Sequence, residues 1–230
     1  MFEADDDLID KSEIAGGTNN QEARQEFKPW HKPRKQWVRD MQWWESLQRI
    51  LTQGKKFQDI ETLKYFGLPG GDLLDVEYIR QQLSTSKFSD KNLLIHGFID
   101  NKKDKMLADS NLTKLLDEKN IHSSSKIDRF NFGSLDNENA ASWRNIKDTG
   151  PYHFINLDFC DCVLKEETLS SLFYLMDFQL KRQYGVPWLL CITTRVNKDE
   201  MHNDVYDRLD TLLEGISKSE EESEVLLKIK

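Results

Sequence analysis

Four compact apolar runs, each running out into polar or acidic residues, punctuate the second half of the chain. They are "NLLIHGFID" (92–100), "KIDRFNFGSLD" (126–136), "YHFINLDFC" (152–160) and "PWLLCITTRV" (187–196). Strands this continuously apolar are buried on both faces, as in a parallel sheet covered by helices. The segments between them carry helical spacing instead. In 165–184, Leu169, Leu172, Phe173, Met176 and Leu180 form a stripe that ends at Gly185, with Pro187 beyond. Residues 136–146 repeat the pattern with Ala140, Trp143 and Ile146, and 199–216 with Val205, Leu209, Leu212, Leu213 and Ile216. Residues 102–119 also read as a helix.

Strands alternating with amphipathic helices predict βαβ units with right-handed crossovers. The predicted fold class is therefore α/β, a Rossmann-like, mostly parallel, doubly wound sheet with an N-terminal amphipathic helix. The first strand is predicted at Leu73–Ile79, just after the Pro-Gly-Gly turn at 69–71. "LKYFG" (63–67) is the alternative first strand.

Upstream, residues 34–53 form a predicted helix. Trp37, Met41, Trp44 and Leu51 share its apolar face, Lys35, Arg39 and Arg49 lie opposite, and Trp43 and Ile50 fall at the edge of the basic side. The predicted organisation is an acidic disordered tail (1–27), a basic Trp-rich helical segment (28–56), the sheet domain (57–216) and a charged tail (217–230). That last tail carries a possible short strand at Val225–Ile229.

Charge sharpens this division. The 230 residues carry a formal charge of −8, which excludes a molecule basic throughout. Residues 1–26 hold eight acidic and two basic side chains, whereas 28–56 hold eight basic and two acidic ones. Four of the six tryptophans also lie in the basic segment. Such asymmetry marks an interacting segment. It contacts nucleic-acid phosphates through Lys35 and Arg39 with Trp30 or Trp43 stacking on a base, or it docks on an acidic protein or on the chain's own acidic tail, or it packs on the sheet with a solvated basic face.

No apolar run approaches the roughly 18–20 residues needed to cross a bilayer, and "MFEADDDLID" lacks the basic start and apolar centre of a signal peptide. Three cysteines, Cys160, Cys162 and Cys191, fit a reduced setting. A cytoplasmic protein without a membrane partner is expected. "CDC" at 160–162 is too small a ligand set for zinc, so no metal is expected.

In an open parallel sheet, ligands bind beyond the carboxyl ends of the strands. That edge gathers Asp100, the stretch Gly133–Asp136, the stretch Asp158–Cys162, and Thr193–Arg195. Asp100 and Asp136 read equally as helix caps. Asp158, inside an apolar run, requires a hydrogen-bonding or charged partner.

The acid after "NLLIHGFI", "FGSLD" after the next strand and "INLDFCD" after the fourth resemble the strand ends of class I S-adenosylmethionine-dependent methyltransferases, over about residues 60–216. The resemblance implies S-adenosylmethionine as cofactor, with Asp100 on the ribose hydroxyls and Asp136 or its neighbour Gly133 near the adenine. It also implies Asp158, Phe159 and Asp161 nearest the transferred methyl, and so catalytic roles for Asp158 and Asp161. The chain departs from the family in two places. With Leu73–Ile79 as first strand, the glycines of "GLPGGD" precede that strand, whereas with "LKYFG" they form the cofactor loop. "NLDFCD" also lacks the Pro-Pro-aromatic signature of adenine methylation.

Two functions are therefore expected. One is a degenerate methyltransferase-fold protein serving as an interaction subunit, in a nucleic-acid-related or bacterial defence complex. The other is an active methyltransferase, with nucleic acid as a substrate. "GLPGGDLLDV" and "INLDFC" are also similar to uncharacterised bacterial proteins found with mobile-element or phage-defence genes.

Overall fold

The computed structural model describes residues 37–53, 57, 59–159, 163–182, 186–194, 204, 206–208 and 211. Expectations for the tail 1–27, for Trp30, Lys35, Cys160, Asp161 and Cys162, for the Gly185 cap, for Val225–Ile229 and for most of 199–216 lie outside them. The chain divides into two units, Met1–Val38 and Arg39–Lys230. In the first, only Trp37 and Val38 are described.

Five parallel strands form one sheet in the order β3-β2-β1-β4-β5. They are β1 (Thr62–Gly67), β2 (Asn92–Phe98), β3 (Lys126–Asp128), β4 (Phe154–Asp158) and β5 (Leu189–Thr193). The helices are α1 (Glu45–Gln53), α2 (Leu74–Thr85), α3 (Lys102–Leu116), α4 (Ala141–Thr149) and α5 (Glu166–Arg182). The order reverses between β1 and β4. Right-handed crossovers then place α2 and α3 on one face and α4 and α5 on the other. This is the doubly wound, Rossmann-like arrangement, in which ligands bind at the carboxyl edge beside the reversal.

The predicted first strand is corrected. Residues 73–79 are not a strand, since Leu74–Thr85 is helical and β1 is the "TLKYFG" stretch before the Pro-Gly-Gly turn. The reason is periodicity. In α2 the buried Val76, Ile79 and Leu83 recur at three and four residues, a helical stripe that alternation does not explain. In β1 a lysine interrupts the apolar run, but Lys64 spends its ammonium on the Thr149 carbonyl at 2.9 Å.

The N-terminal helix is also turned relative to the predicted wheel. Arg39–Trp44 is π-helical before α1 begins. A π turn inserts one residue per turn and rotates the faces that follow. Arg39, Trp43, Leu47 and Leu51, four residues apart, therefore point inward, while Met41 is 46% exposed. Arg39 is not on a solvated basic face: its Nε lies 2.8 Å from Asp75 Oδ1 in a buried ion pair, with its guanidinium over the Trp43 ring. Tyr78 donates to Asp40 beside them.

On the α4–α5 face the core gathers Phe66, Phe98, Phe132, Leu135, Trp143 and Ile155. The stripe of α5 is also corrected. Ser171, Leu175 and Gln179 are its buried residues, whereas Phe173 and Leu180 face outward. Both polar members have a task. Gln179 exchanges hydrogen bonds with the backbone of Tyr152, and Ser171 Oγ donates to the Gly133 carbonyl at 2.8 Å.

Candidate functional site at the carboxyl edge

The loop Leu68–Asp72 leaves β1 at the reversal. Leu68 N–H bonds the Asn156 carbonyl of β4 at 3.2 Å, so the loop starts against the strand across the switch point. Glycine permits close approaches at the end of β1 and within the loop. A Cβ on Gly67 would sit 2.3 Å from Tyr65 Oη and 2.9 Å from the Asn156 carbonyl. One on Gly71 would crowd the Asp104 carbonyl at 3.1 Å. The loop then reaches across β2, where Pro69 packs over Gly97, and it is tied to α3 by Asn111 Nδ2 bonding the Gly71 carbonyl at 3.0 Å. This glycine loop follows the first strand, as the alternative sequence reading required.

Asp100 ends β2 exposed. The cap of α3 is its neighbour Asn101, whose side chain accepts from the N–H groups of Lys103 and Asp104. The Asp100 carboxylate accepts from Asn131 Nδ2 at 3.1 Å instead. Asp136 caps nothing either. It closes the 3-10 turn Phe132–Asp136, capped by Asn131, and its side chain is exposed. Gly133 is held inside that turn by Asn131 and Ser171. Asp158 is half-buried at the end of β4, in register with Thr193 of β5. Phe159 follows it and meets Phe132 edge to face. The fold thus brings Asp100, Gly133, Asp136 and Asp158 to one edge of the sheet. Arg39 and Trp43 are engaged internally, so neither is presented to a phosphate or a base.

Two buried polar clusters were not legible in the sequence. On the α4–α5 face, His96 is fully buried between Tyr152 Oη at 2.6 Å and Asp128 Oδ2 at 2.9 Å. Asn145 Nδ2 donates to the same carboxylate oxygen at 2.7 Å. Burial lowers the His96 pKa, against the pull of Asp128. The neutral ring then donates from Nε2 to Asp128 and accepts at Nδ1 from Tyr152. Burial alone would raise the Asp128 pKa, but the bonds from His96 and Asn145 and the charge of Lys126 hold it below the usual carboxylate range.

The second cluster is Tyr65 with Asn156, on the opposite face. Gly67 pairs with Asn156 in register and Tyr65 lies two residues before Gly67, so all three face the same side. Tyr65 and Asn156 are 0% and 1% exposed, yet Tyr65 Oη and Asn156 Oδ1 have no hydrogen-bond partner. Burial first, and then the Asp75 charge, push the Tyr65 pKa far up. Asn156 lies near enough to oppose that shift, but the two side chains do not reach hydrogen-bonding geometry.

Among the described residues, no group of His, Cys, Asp and Glu is arranged to hold a metal ion, and no helix is long and apolar enough to cross a membrane.

A reversed parallel sheet with a glycine loop after β1, an acid beyond β2 and an acid closing β4 defines a Rossmann-like domain. The chain belongs to the PP_RS20740-like family, whose model matches residues 24–228. Among solved structures it is similar to an rRNA methylase from Streptococcus thermophilus. The two are 12% identical, the likeness covers 75% of this chain and 76% of that one, and the TM-score is 0.38. No match was found among curated proteins.

Proposed function

We propose that the carboxyl edge binds S-adenosylmethionine and that the protein is a methyltransferase-type enzyme. One observation carries this reading: a glycine loop follows β1 and lies across β2, whose end presents an acid not consumed as a helix cap. The residues fit an adenosine-bearing group. Asp100 offers carboxylate oxygens to ribose hydroxyls, and the turn Phe132–Asp136 offers polar backbone and the Asp136 carboxylate beyond β3. The Leu68–Asp72 loop offers a backbone with little side chain in the way. S-adenosylmethionine, when bound, supplies an electrophilic methyl on sulfur. Asp158 lies at the end of β4, on the other side of the reversal from Asp100. A carboxylate there favours a positively charged or proton-donating acceptor group. Asp161, three residues further along the chain, is assigned a role with Asp158 on the sequence resemblance alone.

A second reading is favoured by how the loop packs. Pro69 on Gly97 and Gly71 against α3 use the loop as a structural wedge, which suits an interaction subunit that keeps the sheet without the cofactor. In either case, nucleic-acid or protein contact through 28–56 falls to Trp30, Lys35 and the exposed Arg49 rather than to Arg39 and Trp43.

Calorimetric titration with S-adenosylmethionine and S-adenosylhomocysteine separates the two. Micromolar binding that Asp100→Ala weakens by about tenfold or more, the loss of a charged hydrogen bond, supports the enzyme reading. Absence of heat and of thermal shift with the folded protein sinks it and leaves the interaction subunit.

A further inference from the structure

Helix α5 divides its side chains in a way that covering the sheet does not explain. Two of its three fully buried positions are polar, Ser171 and Gln179, with Leu175 between them. Leu172 and Phe178 add partly buried contact with the core. On the outer side, Leu169, Phe173, Met176 and Leu180 follow one another at intervals of four, three and four residues, which makes one stripe along the helix. Phe173 is 70% exposed and Leu180 61%, while Leu169 and Met176 are half-buried. Single exposed apolar residues are ordinary, but a continuous stripe of them marks a contact surface.

The stripe is complementary to itself. Its spacing is symmetric about the midpoint between Tyr174 and Leu175. In an antiparallel pair of α5 helices, Leu169 of each copy therefore meets Leu180 of the other, and Phe173 meets Met176, a thioether against a ring. The ends of the helix select the same direction. The first turn holds Glu166 and Glu167 and the last turn Lys181 and Arg182, so antiparallel pairing sets an acidic end beside a basic one twice, with the helix dipoles opposed. Parallel pairing would set like charges together. Glu166 and Lys181 also lie on the same flank of the stripe, so a two-fold axis brings Glu166 of one copy beside Lys181 of the other. We propose that the outer face of α5 is the contact surface for a second copy of this chain, in a two-fold dimer with the two helices antiparallel. The apolar stripe supplies the affinity and the charges supply the direction, because exposed ion pairs such as Lys181–Asp177 contribute little. The 17 residues of α5 span about 25 Å of helix. An interface of that length is small, so the dissociation constant is expected in the micromolar range. The dimer does not depend on the cofactor reading.

Sedimentation equilibrium of the full-length protein, over concentrations bracketing about 10 µM, is expected to show a monomer–dimer equilibrium. Phe173→Lys places a charge at the centre of the stripe and leaves the core side of α5 untouched. It is expected to raise the dissociation constant by about tenfold or more. Leu180→Lys is expected to act in the same direction, and it keeps the test decisive if the first variant folds poorly. Met106→Lys removes an equally prominent apolar side chain, 64% exposed, from α3, and is expected to leave the constant unchanged. Direction is read from charge reversal. A chain carrying Glu166→Lys with Glu167→Lys, and another carrying Lys181→Glu with Arg182→Glu, are each expected to self-associate about threefold more weakly and to recover when mixed. A monomer at every concentration would overturn the proposal, as would a dimer that both Phe173→Lys and Leu180→Lys leave intact. Unchanged self-association of the two charge-reversed chains would overturn the antiparallel arrangement.

Discussion

The two faces of the sheet bury polar groups in opposite ways. On the α4–α5 face, His96, Tyr152, Asp128 and Asn145 form a chain in which each side chain has a partner at 2.6–2.9 Å. One register position away, on the α2 face, Tyr65 and Asn156 are as deeply buried, and each keeps an atom unpaired. The sheet, its strands and its burial are shared, so the difference lies in purpose. A satisfied network fixes structure, here by tying the ends of β2 and β3 to the start of β4 and to α4. An unsatisfied pair is a cost that folding does not recover alone.

The comparison breaks most visibly at His96. His96→Leu would strand the Tyr152 hydroxyl and strip Asp128 of one of its donors, while leaving its charge in place. The loss is expected to be about 3 kcal/mol, from one stranded buried hydroxyl and one hydrogen bond lost to a charged group, read as a fall in the urea midpoint. A loss under about 1 kcal/mol, no more than one ordinary hydrogen bond, would mean the network does not hold the two layers together.

Acid sharpens the same contrast. Burial, and then the nearby Lys64 charge, lower the His153 pKa from 6.5 to about 4. Its Nδ1 accepts from Lys64 N–H at 3.0 Å, a bond the protonated ring cannot accept. Between those two values the unfolded chain binds a proton that the folded chain refuses, so stability falls as pH drops through that window and this group adds nothing further below it. The span corresponds to about 3 kcal/mol at most, and His96, also lowered, acts in the same direction. Tyr65 stays protonated throughout and contributes no slope. Denaturant unfolding at pH 7 and pH 5 is expected to show this drop in the unaltered protein and in Tyr65→Phe alike, and a smaller one in His153→Gln. An unchanged slope in His153→Gln would remove His153 as its source.

Much of the fold was legible because it is written in periodicity. The runs at 92–98, 154–158 and 189–193 are strands, and the α/β class follows from their alternation with helices. The boundaries failed where a local conformation broke the period. The π turn at Arg39–Trp44 rotated a helix by one residue and buried the arginine and tryptophan expected outside. In α5, Ser171 and Gln179 face inward because backbone carbonyls at Gly133 and Tyr152 wait for them, a demand no single segment announces. The glycine loop was misplaced relative to β1 because Lys64 disguised a strand and Leu73–Ile79, apolar and short, imitated one. At the site, the strand-end acids could be read from sequence, since position alone puts them there. Tyr65 and Asn156 could not, because their significance is a missing partner, and only the packed structure shows which atoms lack one. The nearest signal was "INLDFC" itself, where an asparagine interrupts a strand interior.

The smallest effect is the most discriminating. In a satisfied network, removing one hydroxyl leaves its partner exposed to the cost of burial. At Tyr65 no partner depends on the hydroxyl, so Tyr65→Phe removes a buried polar atom and strands nothing. Thermal and urea unfolding are expected to show a change within about 0.5 kcal/mol of zero or a gain of about 1 kcal/mol, the sign set by relief of an unpaired group. The ring remains to fill the space over Gly67 and to meet Phe154 edge to face, so packing is conserved. A loss of about 1 kcal/mol or more, the net worth of a made hydrogen bond, would show that Tyr65 has a working partner in the ligand-free protein. In that case the two faces would be alike.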